Sequence, residues 1–85
     1  MVNRRTKPAQ TLQLVRRVAR RHGLTVIELP GRGKGSHRIY ILEDTDGNER
    51  GRFGLTDHGR ELSWTVLRNL EDGLTGELGE NWMEK

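Results

Sequence analysis

The 85-residue sequence contains no cysteine, so it has neither a disulfide framework nor thiolate ligands for a metal. Apolar residues are few, because Leu, Ile, Val and Phe together supply 20 of the 85 residues, just above the roughly 20% below which chains are typically disordered. No apolar run approaches the ~18 residues of a membrane-spanning helix, and no secretory signal is visible. We therefore expect one small, soluble, cytoplasmic domain with a modest core, not a multidomain enzyme.

Positive charge is concentrated in the first half of the sequence. Residues 1–40 carry ten Lys and Arg against one acidic residue, whereas residues 41–85 carry five against eleven acidic residues. The net charge of +3 is therefore made of +9 in the first part and −6 in the second. Such a separation indicates a polyanionic partner, with nucleic acid as the first choice, although the acidic half can also neutralise the basic half inside the fold.

Periodicity divides the chain into a helix, three strands and a second helix. Apolar residues at helical spacing predict a helix from Ala9 to His22, ended by Gly23. Runs rich in Val, Ile and Thr predict strands over 24–29, 36–42 and 49–55, with an Asp- and Gly-containing turn between the last two. A second helix is predicted to start after the N-cap Ser63 and to end near Asp72, with Gly73 as its C′ residue and with its inward-facing residues at Val66, Leu67 and Leu70.

This order of elements predicts an α+β domain, α-β-β-β-α, in which two helices cover one face of a three-stranded antiparallel sheet. Residues 1–8 are predicted to be a flexible basic arm, residues 9–74 the folded domain, and residues 75–85 an acidic C-terminal tail. The apolar pair Trp82 and Met83 in that tail either packs back on the domain or is presented to a partner.

A glycine-rich basic segment, Pro30-Gly31-Arg32-Gly33-Lys34-Gly35, joins the first two predicted strands. Its glycines allow positive φ and close approach of a ligand to the backbone, while Arg32 and Lys34 keep positive charge nearby. Lys34 is not followed by Ser or Thr, and a strand follows instead of a helix, which excludes a Walker loop and a dinucleotide fingerprint. A plain strand connection does not need two cations between its glycines, so we expect this segment to grip a phosphate backbone.

His37 follows this segment, and alternation along the strand places it on the face of Ile39 and Ile41, opposite Arg38 and Tyr40. Histidine exchanges protons readily near neutral pH, so beside a bound RNA phosphate it can deprotonate the 2′-hydroxyl or protonate the leaving 5′-oxygen. Cations of the segment would then stabilise the charged phosphorane. The alternative is a structural histidine packed with the isoleucines; we expect the ring at the rim of the sheet.

Other polar residues carry weaker signals. His22, His37 and His58 are isolated from one another, so no metal site and no cofactor are predicted. The acidic residues around Gly47 have the wrong spacing for a calcium loop and are assigned to the turn. Tyr40 either stacks on a base or packs in the core. The cations on the polar side of the first helix either contact phosphates or are simply solvated, and these are Arg16, Arg17, Arg20 and Arg21.

The run Lys34-Gly35-Ser36-His37-Arg38-Ile39-Tyr40, placed after a helix and a strand, resembles the Gly-Ser-His motif of the HicA family of toxin ribonucleases. A second stretch, from Leu55 through His58 and Gly59 to Leu62, is similar to the family's later segment, and the resemblance covers about Leu12 to Leu74. It implies a fold like the double-stranded-RNA-binding domain, metal-independent cleavage of messenger RNA, and neutralisation by a HicB-type antitoxin. The family's catalytic histidine corresponds to His37.

The leading hypothesis is therefore a toxin-like endoribonuclease of a toxin–antitoxin system. His37 is its predicted catalytic residue, and its predicted RNA-binding residues are Arg32, Lys34, Gly35, Ser36 and Arg38. The alternative is a nucleic-acid-binding module that has the same fold without catalysis. A third hypothesis is a pure interaction domain that docks a protein through its acidic half and Trp82.

Overall fold

The computed structural model describes residues 6–29, 37–56 and 61–84 of the chain. Its elements in order are α1 (Pro8–Arg21), β1 (Thr25–Glu28), β2 (His37–Glu43), β3 (Glu49–Thr56), α2 (Trp64–Gly73), α3 (Thr75–Leu78) and a 3₁₀ turn (Trp82–Glu84). The strands form one sheet in the order β1-β2-β3, and both neighbouring pairs are antiparallel. The predicted α+β class with a three-stranded antiparallel sheet is thus confirmed. None of the helices within the described ranges is long and apolar enough to cross a membrane.

Helix α1 begins at Pro8, because a proline at the first helical position has a suitable φ and gives up no hydrogen bond. It ends in a Schellman motif, in which the N–H of Gly23 donates to Arg20 O (3.1 Å) and the N–H of Leu24 donates to Ala19 O (2.9 Å). Gly23 has φ 73°, which confirms its prediction as the C′ residue. Before the helix, Thr6 O accepts a hydrogen bond from the N–H of Leu62 (2.8 Å), so this part of the predicted arm is attached to the domain.

The hydrophobic core lies between the helices and one face of the sheet, the inner face. Strand residues on this inner face are Val26, Tyr40, Leu42, Phe53 and Leu55, and they pack with Val15, Val18 and Ala19 of α1 and with Leu67 and Leu70 of α2. The rings of Tyr40 and Phe53 stack with their centroids 5.1 Å apart. Of the two roles considered for Tyr40, packing in the core is therefore the one observed.

Helix α2 starts as predicted, because the Ser63 Oγ accepts a hydrogen bond from the N–H of Val66 at 3.2 Å. Val66 itself is 42% exposed, so its predicted inward orientation is wrong. The buried residues of α2 and the buried Leu74 that follows it have the spacing i, i+3, i+4, i+7, which leaves Val66 at the edge of the buried strip. These residues are Leu67, Leu70, Glu71 and Leu74.

The prediction that Gly73 ends α2 as a C′ residue is also wrong. Gly73 belongs to the helix and has no positive φ, and the N–H of Leu74 still donates to Leu70 O at 3.2 Å. The chain continues directly into α3 at Thr75, which brings the buried Leu78 to the core. Burial of the residues that follow, which local signals do not report, keeps the backbone helical here.

Residues 75–84 are part of the domain, because Leu78, Trp82 and Met83 belong to the same hydrophobic core as α1 and the sheet. The Trp82 side chain is fully buried, and its indole Nε1 donates to the main-chain oxygen of Glu71 at 2.9 Å. The buried carboxylate of Glu71 accepts a hydrogen bond from the N–H of Met83 at 3.2 Å. Of the two possibilities for Trp82 and Met83, the structure shows that they pack back on the domain.

The turn between β2 and β3 is held by Asp44, as its composition predicts. The Asp44 Oδ1 accepts hydrogen bonds from the N–H groups of Asp46 (2.9 Å) and Asn48 (3.0 Å), and Gly47 has φ 84°. The hydrogen bond from Asn48, together with that from Asp46 and the nearby Arg50 guanidinium, lowers the pKa of the Asp44 carboxyl. The acidic residues here thus serve the hairpin.

Candidate active site

His37 is the first residue of β2 and lies on the face of the sheet that points away from the helices. Because side chains alternate along a strand, this outer face carries the residues that do not join the core, and the register brings together on it Ile27, His37, Ile39, Ile41, Arg52 and Gly54. The His37 side chain is exposed. The predicted position of the imidazole at the rim of the sheet is thus confirmed.

The imidazole of His37 lies over Gly54 of the neighbouring strand. A Cβ atom at Gly54 would stand 2.9 Å from the His37 Nε2, a distance that real Cβ atoms essentially never show, and 3.2 Å from its Cε1. The same position is 3.4 Å from the Cδ1 of Ile39. The glycine therefore makes the space that the ring occupies. Within the ranges that the structure describes, no hydrogen bond or ion pair engages the ring.

The cation next to His37 in sequence, Arg38, lies on the other face of the sheet. Alternation turns it to the inner face, where its Nη1 donates to the Glu28 Oε2 at 2.9 Å. The structure therefore does not bring the guanidinium of Arg38 to the side of the imidazole. On the outer face, Arg52 lies opposite Ile41 and contacts Glu49 at 3.0 Å, and the hydrogen bond to Glu49 raises the pKa of Arg52.

Four of the predicted RNA-binding residues lie outside the described residues, and these are Arg32, Lys34, Gly35 and Ser36. The same holds for His58. Their roles remain predictions from the sequence. The described part of the site is the start of β2 with the adjoining end of β3, where His37 faces Thr56 across the strand pair.

Two features of this site could not be found in the sequence. Gly54 is one of three glycines between Gly47 and Gly54, and only the pairing of β2 with β3 shows that it lies beneath the imidazole. The three isoleucines of the outer face come from two strands, and only the register of β1 and β2 brings Ile27 opposite Ile41. The alternating pattern of the second strand was the available signal, and it gave the face correctly.

Two cavities formed by described residues lie away from His37. One, of about 550 Å³, lies at the opposite end of the sheet near His22, Asp44 and Glu77, and another, of about 290 Å³, lies between β3 and α2.

Comparison with known proteins adds no assignment, because no family model, no curated protein and no solved structure matches this chain.

Proposed function

We propose that the protein is an endoribonuclease of the HicA toxin type, with a fold like the double-stranded-RNA-binding domain, and that His37 is its catalytic residue. The observation that carries the proposal is the position of the imidazole, which is exposed on the outer face and has no hydrogen-bonding partner among the described residues. A ring in this position is accessible to a substrate that lies on the outer face, and it can exchange protons with that substrate. The order of the Gly35-Ser36-His37 motif after a helix and a strand supports the same assignment.

The chemistry needs only the substrate's own nucleophile and a proton-transfer group. The 2′-oxygen of the ribose attacks the adjacent phosphorus, the bond from phosphorus to the 5′-oxygen breaks, and the products end in a 2′,3′-cyclic phosphate and a 5′-hydroxyl. His37 either accepts the proton of the 2′-hydroxyl, with water protonating the departing 5′-oxygen, or donates a proton to the 5′-oxygen, with water accepting the proton of the 2′-hydroxyl. In this proposal Arg32 and Lys34 stabilise the phosphorane charge, and Gly35 and Ser36 keep their predicted role in RNA binding. Arg38, which lies on the inner face and pairs with Glu28, takes no part at the reacting phosphate, so any contact it makes with RNA is away from His37.

The outer face also offers a binding surface for the proposed antitoxin. Ile39 shares the space over Gly54 with the imidazole, and Ile27 and Ile41 continue the apolar strip across the two strands. A protein that covers this strip would also cover His37 and exclude RNA. Neutralisation by a HicB-type partner therefore requires no change in the conformation of the toxin.

The decisive test is incubation of the purified protein with RNA in the presence of EDTA. We expect cleavage that yields 2′,3′-cyclic phosphate ends, and no cleavage of an otherwise identical oligonucleotide with 2′-deoxyribose throughout, because the nucleophile is then missing. Both oligonucleotides should still bind. Binding of RNA that stays intact after long incubation would instead establish the second candidate, a non-catalytic RNA-binding module.

Substitution of Gly54 by alanine is expected to lower cleavage by about 10- to 100-fold, because the added methyl group displaces the imidazole from its place over the strand. Stability should change little, since the close contact is with the end of a side chain that can move and the backbone φ of Gly54 is not positive. The measurement is single-turnover cleavage together with urea unfolding.

Gly51→Ala is the matched control for this prediction. Gly51 lies on the same strand, but a Cβ atom there would face the inner side of the sheet, 3.2 Å from the Cδ of Glu77 and away from His37. Its cleavage rate should therefore equal that of the unsubstituted protein. Equal rates for Gly54→Ala and Gly51→Ala would show that the position of His37 over Gly54 is irrelevant to the reaction.

A further inference from the structure

The arginines of the described chain fall into two groups. The four outside α1 each pair with a carboxylate: Arg38 with Glu28 (2.9 Å), Arg50 with Asp44 (2.9 Å), Arg52 with Glu49 (3.0 Å) and Arg68 with Asp72 (3.9 Å). The four on α1 are exposed and have no ion pair or hydrogen bond from their side chains in the part of the chain that the structure describes, and these are Arg16, Arg17, Arg20 and Arg21. Among the described arginines, those outside α1 therefore form ion pairs with carboxylates, and those on α1 do not.

This arrangement opposes the stability of α1. Arg16 and Arg20 are four residues apart, as are Arg17 and Arg21, and like charges at that spacing repel on a helix surface. The helix contains no acidic residue that would offset the repulsion. Arg20 and Arg21 lie in the last turn of α1, where the helix dipole stabilises cations. Arg16 and Arg17 precede the last turn, so the dipole does not stabilise them in this way. A local arrangement that opposes folding without compensation is typical of a functional surface.

We propose that the exposed face of α1 binds the ribose-phosphate backbone of the RNA substrate, as a second contact surface separate from His37. The proposal rests on the RNA substrate proposed above and extends it. Guanidinium groups on successive turns of a helix can each contact a phosphate oxygen, and such contacts carry no sequence information. All the charged residues of this surface are arginines, so its charge is of one sign and is complementary to the negative charge of an RNA backbone.

The composition of this face favours RNA over a membrane or a protein as its ligand. Apart from the arginines, the exposed residues of α1 are Ala9, Gln10 and Gln13, with no exposed Trp, Phe or Leu. A helix that binds a membrane surface needs a large apolar face in contact with the lipid, and a stable protein interface needs apolar or aromatic anchors. The apolar side of α1 is already buried in the core, at Val15, Val18 and Ala19. A hydrated phosphate backbone needs no such anchor.

The position of α1 gives this surface a particular role. Helix α1 covers the inner face of the sheet, whereas His37 lies on the outer face. The arginines therefore do not touch the phosphate that is cleaved, and they hold a more distant part of the same RNA strand. Their removal should weaken binding and raise KM without changing kcat at saturating RNA.

Two triple variants with the same change in net charge provide the test. Arg16, Arg17 and Arg20 are replaced by Gln in one, and Arg50, Arg52 and Arg68 by Gln in the other. Binding of a fluorescein-labelled 2′-O-methyl RNA of about 20 nucleotides is measured between about 50 and 200 mM KCl. The α1 variant should lose about tenfold or more in affinity, and its dependence of log Kd on log salt concentration should be shallower by about 2. The control variant should keep both values.

Equal weakening by the two variants would show that net charge alone drives binding and would overturn the proposal. An unchanged affinity of the α1 variant for RNA would also overturn the proposal. This holds even if the same variant loses binding to vesicles that contain phosphatidylserine. Urea unfolding should show that the α1 variant is at least as stable as the unsubstituted protein. Replacement of the same arginines by lysine should leave the dependence of log Kd on log salt concentration unchanged. Because the 2′-O-methyl RNA cannot be cut, binding tests the α1 surface even if the protein proves to cleave no RNA.

Discussion

Replacement of His37 by alanine is expected to lower RNA cleavage by about 10²- to 10⁴-fold, the usual contribution of a general acid or base. The exposed ring contributes little to the core, so the free energy of unfolding should change by less than about 0.5 kcal/mol. RNA affinity should also be preserved, because the cations remain. The measurements are single-turnover cleavage with excess protein, binding of uncleavable RNA, and urea unfolding of the same preparations.

His22→Ala is the matched control for this experiment. His22 is also an exposed histidine, but it follows the end of α1 and lies at the opposite end of the sheet from His37. It should cleave RNA at the unsubstituted rate. Expression of the active protein should also arrest growth, and His37→Ala should remove that arrest. Undiminished cleavage by a folded His37→Ala protein would show that His37 is not the catalytic residue and would remove the mechanism proposed here.

Replacement of Trp82 by alanine is expected to destabilise the domain by about 3–5 kcal/mol, which is the usual effect of deleting a large buried aromatic side chain. Trp82 is fully buried, packs with α1 and the sheet, and donates a hydrogen bond to the main-chain oxygen of Glu71. Native domains are stable by only about 5–15 kcal/mol, and a domain of this size lies toward the lower end. Much of the protein should therefore be unfolded at room temperature, as measured by circular dichroism in urea.

Trp64→Ala provides the comparison, because Trp64 is the other tryptophan and is only half buried at the start of α2. Its loss of stability should be clearly smaller. Removal of all residues after Leu74 should be at least as damaging as Trp82→Ala, since it also removes Leu78 and Met83 from the core. A chain ending at Leu74 that keeps its full stability would contradict the role assigned to this segment.

The local signals in the sequence gave correct structure where the forces that act are also local. The positive φ of Gly23, the hydrogen bonds of the Asp44 side chain and the Ser63 cap each depend on groups within a few residues. The alternation of His37 with Tyr40 and Leu42 gave the correct face for the same reason, because neighbouring side chains on a strand must point to opposite sides. Strand bounds differed from the prediction by at most one residue at each end.

The candidate site depended on contacts between residues that are distant in sequence. His37 was found as a residue, but the glycine beneath it and the pairing of Arg38 with Glu28 follow from the register of three strands. The periodicity of one segment says nothing about which residues of another segment lie opposite it. The same limit explains Val66 and Gly73, whose roles were set by where Leu74, Leu78 and Trp82 had to be buried.

The sequence by itself determined the order of helices and strands, the turn and cap residues, the excess of positive charge before residue 40 and the identity of His37 as the residue to test. Tertiary structure decided that the segment around Trp82 completes the core and that Gly54 makes room for the imidazole. It also decided that, among the described residues, the four arginines of α1 have no carboxylate partner whereas the other arginines are paired. The reason is physical: conformational preferences act over a few residues, whereas burial and ion pairing depend on which distant side chains the fold brings within a few ångströms.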